Sequence, residues 1–182
     1  MGPGFAVAAA RSLIAPTDRL WLDDGRSVVL QPIGPQDADA EQGFVRALSP
    51  ASRVLRFHFG MRELSPELLR AMTDYDPRRQ VAIAARDDRS GRLVADARFV
   101  RDPEADHEAE FAIAVADAWQ GAGLGRALLQ RLLDEARRRG IRALYGDVLR
   151  DNRRMMDMVR VHGGHFVRHP GDATLTRARF EL

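Results

Sequence analysis

The residue types able to do chemistry fall in three stretches of this chain. The first is Gln120-Gly121-Ala122-Gly123-Leu124-Gly125-Arg126, a short run with a glycine at every second position from 121 to 125. A glycine-rich turn that opens a helix leaves backbone N–H groups free beside the positive end of the helix dipole, and both favour a phosphate-bearing ligand. The same glycines also suit a tight strand-to-helix connection that only needs close packing. The second is Glu110, with Asp102, Asp106 and Glu108 close by in sequence; like charges would raise its pKa and attract a cation. Charged strand residues also commonly line a solvated sheet face, and Glu108 and Glu110 fit that description too. The third is Asn152, placed to open a helical stretch as an N-cap.

The glycine spacing narrows the choice of phosphate ligand. A P-loop needs a lysine before Ser or Thr, and the chain contains no lysine. A dinucleotide fingerprint needs G-x-G-x-x-G with an acidic residue about 20 positions on, whereas the run here is G-x-G-x-G and Gly140 follows the helix. The pattern that fits is Q-x-x-G-x-G, carried by Gln120, Gly123 and Gly125.

The elements that must position these residues follow from hydrophobic periodicity. Glu108 to Val115 reads as a strand with Phe111, Ile113 and Val115 on one face. Leu124, Leu128, Leu129, Leu132, Leu133 and Ala136 recur at helical spacing, and Gly140 stands where a C-terminal cap belongs. Upstream, Leu20-Trp21-Leu22 and Ser27 to Ile33 form a hairpin across an Asp-Gly turn. Asp37 to Leu48 suits an amphipathic helix, and Ser49-Pro50 and Ser65-Pro66 each announce a further one. Val81 to Ala85 and Leu93 to Val100 pair through the turn 87–91. Ala143 to Leu149 is a strand, Asn152 to His162 a helix, and Phe166-Val167 and Thr174 to Leu182 are closing strands. The expected architecture is mixed α/β, a mostly antiparallel sheet with helices on both faces. It occupies a single domain over 20–182, behind a flexible lead-in over 1–19.

Composition excludes several classes. With 182 residues and 45% hydrophobic content there is chain enough for one sizeable core. Cysteine is absent, so neither disulfides nor thiolate metal sites are available. Arginine is interspersed with Asp and Glu rather than clustered with aromatics, which argues against a nucleic-acid surface. No apolar run reaches membrane-spanning length, and no basic region precedes the small apolar patch at the N-terminus; a cytoplasmic location is expected. Met155, Met156 and Met158 read as core filler, with Met155 near any ligand. His162, His165 and His169 straddle a helix end and a strand, so they form no metal-ligand face. Arg137, Arg138 and Arg139 suit a helix C-terminus, and Tyr145 suits a packed strand.

The Q-x-x-G-x-G run, with its flanking strand and helix, resembles the pyrophosphate-binding motif of the GNAT superfamily of N-acetyltransferases, and the element order matches that fold from about Leu20 onward. Further stretches are similar to the bacterial Pat-type protein acetyltransferases: Asp24-Gly25, Gln31-Pro32-Ile33 with Asp37, Leu48-Ser49-Pro50 with Ser52, Arg56-Phe57 and Glu63-Leu64-Ser65-Pro66. Asp74-Tyr75-Asp76, Ala109-Glu110-Phe111-Ala112 and Asn152-Arg153 complete the set. The resemblance implies splayed central strands and acetyl-CoA as cofactor. Backbone near Ile113 and Val115 would bind the pantetheine arm. Amides from Gln120 through Gly121, Ala122, Gly123, Leu124 and Gly125 to Arg126 would hold the pyrophosphate, and Asn152 would stand at the far side. It also implies Glu110 as general base for an amine acceptor, a protein lysine or a small molecule, in a monomer or homodimer. Many relatives carry a tyrosine seven residues after the Asn; here Val159 stands there, as in Pat-type members, leaving no assigned general acid. An alternative from another class is a non-catalytic acyl-CoA-binding or sensing module, which would need the glycine run but not Glu110.

Overall fold

The computed structural model describes residues 18–182. A hairpin of β1 (Asp18–Trp21) and β2 (Ser27–Pro32) opens the chain, turning at Gly25 with φ of 82°. Strand β1 already pairs Asp18 with Leu30 and Arg19 with Val29, so the lead-in expected over 1–19 gives up its last two residues to the sheet. The remainder of that lead-in lies outside the described residues.

Three short helices follow: α1 (Ala38–Ala47), α2 (Pro50–Phe57) and α3 (Pro66–Thr73). The expected Ser-Pro starts are both present. Ser49 Oγ accepts from Ser52 N at 3.1 Å and Ser65 Oγ from Leu68 N at 3.2 Å, each satisfying a donor the first helical turn leaves orphaned. Then come β3 (Gln80–Asp87), β4 (Leu93–Arg101), β5 (Glu108–Val115), α4 (Leu124–Arg138), β6 (Ala143–Leu149), α5 (Arg153–Val161), β7 (His165–Arg168) and β8 (Leu175–Glu181).

The strands form one sheet in the order β1-β2-β3-β4-β5-β6-β8-β7. Every neighbouring pair is antiparallel except β5 with β6, which α4 joins in parallel. Strand alternation divides the interior into two cores. Val81, Ile83 and Ala85 of β3, with Phe99 of β4 and Phe111 of β5, face the apolar stripe of α4 and Val159 of α5. Ala82, Ala84 and Ala114 face the other way, against Phe44 and Val45 of α1 and Met72 of α3. All six apolar positions predicted for α4 are at most 2% exposed. Burying side chains of this kind is worth about 1.5–3 kcal/mol each, so α4 is anchored by its apolar stripe more than by intrinsic propensity.

The parallel pair is where the sheet opens. Strands β5 and β6 stay in register only from Glu108↔Ala143 to Glu110↔Tyr145. At the next step Phe111 crowds Gly146 so closely that a Cβ there would lie 2.8 Å from the Phe111 carbonyl oxygen. Beyond that point β6 continues with β8 to Leu149 while β5 continues with β4 to Val115, and the two strands part. The facing edges of Ala112–Val115 and Gly146–Leu149 therefore line a cleft.

Candidate functional site

The glycine turn lies at the wide end of that cleft. Gly121 and Gly123 have φ of 84° and 86°, a region costly for any residue with a Cβ. Gly123 is restricted further: a Cβ would lie 2.9 Å from Asp23 Oδ2. Asp23 belongs to the β1–β2 turn, which braces the loop. Its N–H donates to Ala122 O at 3.2 Å, and its carboxylate accepts from Arg126 Nη2 at 2.8 Å. Arg26 adds a bond to Ala118 O at 3.0 Å and stacks 4.1 Å above the Trp119 ring.

Among the described residues, none of the N–H groups from Gly121 to Arg126 has a hydrogen-bond partner; the first that does is Ala127, bonded to Gly123 O at 3.1 Å. The amide of Gln120 departs from the expected set, since it donates to Asp117 O at 3.3 Å. The Gln120 side chain is also engaged. Its Nε2 donates to Val115 O at 3.0 Å, and its Oε1 accepts from Arg154 Nη1 at 2.6 Å. Gln120 thus clamps the end of β5 to α5, and the row of free donors begins one residue later than the sequence suggests.

Two cavities run along the cleft. One, of about 540 Å³, is bordered by Gly121, Gly123, Gly125, Arg126, Val115 and Arg154. The other, of about 400 Å³, is bordered by Glu110, Phe57, His58, Leu68 and Asp147. They meet at Leu55 and Arg56 of α2, Ile113 of β5, and Asn152 and Met155 at the start of α5. Asn152 Oδ1 accepts from Met155 N at 3.1 Å, so the capping role is present at the same place where Asn152 borders both cavities. Ile113, Val115 and the glycine turn fall in the first cavity or at the junction, and Glu110 in the second.

The Glu110 side chain opens into the smaller cavity, yet the surrounding walls strip away part of its hydration. That burial pushes its pKa upward, and the charge of Asp147 adds to the shift, while Arg177, Arg56 and His58 oppose it. The expected source of the shift, Asp102, Asp106 and Glu108, is corrected on two counts. Glu108 is neutralised by Arg179 two strands away, with bonds of 2.8 and 3.1 Å, and Asp102 accepts from the Tyr145 hydroxyl at 2.7 Å. The aspartate that counts is Asp147, brought beside Glu110 by the parallel β5–β6 pair. It accepts from Arg177 at 2.8 and 3.0 Å and lies 3.2 Å from His169. The Tyr145 hydroxyl is committed to Asp102, burial holds its proton more firmly than an ordinary phenol, and Val159 is wholly buried in the core. His162 Nδ1 contacts Met158 O at 2.8 Å at the end of α5, its expected place at a helix C-terminus.

Sequence reasoning missed a buried charge cluster behind the cavity. Arg98 Nη2 donates to Asp96 at 3.0 Å and to Glu41 at 3.2 Å, and its Nη1 donates to Met72 O at 2.9 Å. Arg56 Nη2 lies 3.7 Å from Asp96 on the far side. The available signal was Asp96-x-Arg98 within the otherwise apolar run 93–100, two charges on one face of β4.

The cleft between the diverging parallel strands thus has free amides at one end and a carboxylate at the other. Comparison with known proteins defines the class. The model of the acetyltransferase (GNAT) family matches residues 48–163. The chain is 36% identical over 163 residues to acetyltransferase PA5475 of Pseudomonas aeruginosa, across 88% of this chain and 87% of that protein. It is 28% identical over 152 residues to acetyltransferase Pat of Mycolicibacterium smegmatis, but there the match spans 84% of this chain and only 45% of Pat. The solved GNAT domain of S. lividans PAT superposes with a TM-score of 0.83 at 29% identity, over 91% of this chain and 96% of that one. The chain belongs to the GNAT acetyltransferase family; it is an N-acetyltransferase, with acetyl-CoA as its acetyl donor.

Proposed function

We infer that the chain transfers an acetyl group directly from acetyl-CoA to a primary amine, a protein lysine or a small molecule, with Glu110 as general base. The observation that carries this reading is the meeting of the two cavities at Ile113 and Asn152, with free loop amides on one side and a raised-pKa carboxylate on the other. The N–H groups of Gly121 to Arg126 would receive the pyrophosphate, helped by the α4 dipole and the Arg126 and Arg154 side chains. The unpaired edge at Ile113 to Val115 would bond the pantetheine arm as an added strand.

The acceptor arrives mostly as ammonium. Glu110 takes one proton, the freed amine attacks the thioester carbon, an N–C bond forms, and the C–S bond breaks as the sulfur leaves with its electron pair. Of the two protons lost by nitrogen, one ends on the coenzyme A sulfur and one in solvent. A thiol of pKa about 8.5 leaves without a strong acid, so the absence of a hydroxyl at Val159 does not obstruct the reaction.

The test is thiol release by wild type and Glu110→Gln with an amine panel, with acetyl-CoA binding followed separately by thermal shift. The expected result is unchanged binding and a kcat loss on the order of 10²-fold. A variant as fast as wild type removes Glu110 from the reaction.

A further inference from the structure

We propose that the acceptor cavity selects primary amines carried on an apolar arm and rejects amines with a carboxylate on the adjacent carbon, as in a free α-amino acid. This rests on the acetyl-transfer reading above and narrows its acceptor class.

The wall carries two carboxylates, Glu110 and Asp147, which suit an incoming ammonium. Arg56 is the one guanidinium bordering the cavity among the described residues, and it is turned toward Asp96, 3.7 Å away on the β4 side. Its side chain is mostly buried, with 13% exposed, and its Nε is buried without a hydrogen-bond partner. Arg177 stands behind Asp147 and spends two donors on that carboxylate. A ligand carboxylate next to the reacting amine would therefore enter a wall that carries two carboxylates and one mostly buried guanidinium turned toward Asp96. Desolvating an anion there without a matched cation is costly.

The remaining wall is apolar. Phe57 and Leu68 border the cavity between α2 and α3, Val148 and Met155 close the β6 and α5 side, and Leu55 and Phe59 form the outer rim. Phe59 is 58% exposed and Leu55 39% exposed, an unusual pair of large apolar side chains at the mouth of a charged site. A volume of about 400 Å³ admits an arm of several carbons or one aromatic ring, with the amine at Glu110 and the apolar part against Phe57, Leu68 and Phe59.

The experiment is steady-state thiol release at saturating acetyl-CoA with matched acceptors. Phenethylamine is set against phenylalanine, pentylamine against 2-aminohexanoic acid, and phenethylamine against ethylamine. The expected kcat/KM falls on the order of 10²-fold when the carboxylate is added and on the order of 10-fold when the arm is removed. Phe59→Ala and Leu68→Ala should erode the advantage of phenethylamine over ethylamine through the phenethylamine KM. Amino acids turned over as well as their amines, or ethylamine as good as phenethylamine, would overturn the proposal. Acetyl-CoA binding by thermal shift separates the two levels of inference. Bound cofactor with every apolar amine inert sinks the acceptor assignment alone, whereas no cofactor binding sinks the acetyl-transfer reading beneath it.

Discussion

Glu41 and Glu110 make an instructive pair. Each holds its proton more tightly than an ordinary carboxyl; in each the leading cause is burial, and the second is a neighbouring aspartate, Asp96 for Glu41 and Asp147 for Glu110. Arginines oppose the shift in both places. The difference is access. Glu41, on α1, is 0% exposed and held against Arg98, and its pKa is pushed up to about 8. Glu110 faces a cavity that joins the cleft of the glycine turn. A perturbed carboxyl is found in a closed structural cluster and beside an open cleft alike, and the open path to a ligand is what separates Glu110 from Glu41.

Five changes sharpen that contrast. The largest effect on the fold belongs to Arg98→Met, which strips Asp96 of its closest cation inside the sheet. A stability loss of about 3–5 kcal/mol is expected in urea unfolding, with any residual activity lost only in step with unfolding. Next in size, the change Glu110→Gln should leave unfolding nearly untouched and lower kcat on the order of 10²-fold, equivalent to about 2.7 kcal/mol of transition-state stabilisation. In the loop, Gly123→Ala forces a Cβ into the left-handed region and against Asp23. It should cost about 1–2 kcal/mol and raise the KM for acetyl-CoA about 10-fold, with acceptor KM unchanged, as isothermal titration and initial rates would report.

The smallest effects concern protons. Folded Glu41 keeps its proton up to about pH 8, whereas the unfolded chain releases it near 4.5. Its contribution to stability is therefore complete below pH 4.5 and is lost as pH rises toward 8. Glu41→Gln, which resembles the protonated form, should flatten the fall in melting temperature across that window and leave kcat within about 2-fold. Asp147→Asn removes the like charge beside Glu110, so the acid limb of the kcat/KM profile should move to lower pH; a limb that stays put or moves upward would assign the shift elsewhere.

How much of this was legible in the sequence depends on how local each cause is. Helix starts at Ser49 and Ser65, the apolar stripe of α4 and the alternation of β3 to β5 are set by neighbours within a few residues, and all appear where periodicity and capping place them. The splay of β5 from β6 is a non-local contact between Phe111 and Gly146, so it entered only through family resemblance. The partners of Glu110 followed the same logic. Sequence proximity pointed to Asp102, Asp106 and Glu108, but parallel pairing across α4 brings in Asp147, while cross-strand arginine and tyrosine engage Glu108 and Asp102. Gln120 was readable as part of the motif but not as a clamp, because Arg154 and Val115 reach it only in the folded chain.

The central claim is that Glu110, and not the buried Glu41, takes the proton of the acceptor. The most direct test is the pH profile of kcat/KM for wild type, Glu110→Gln and Glu41→Gln with one amine at saturating acetyl-CoA. The account predicts an acid limb above the usual carboxylate range in wild type, retained in Glu41→Gln and absent from Glu110→Gln along with most of the rate. A limb that survives unchanged in Glu110→Gln, or vanishes in Glu41→Gln, would contradict it.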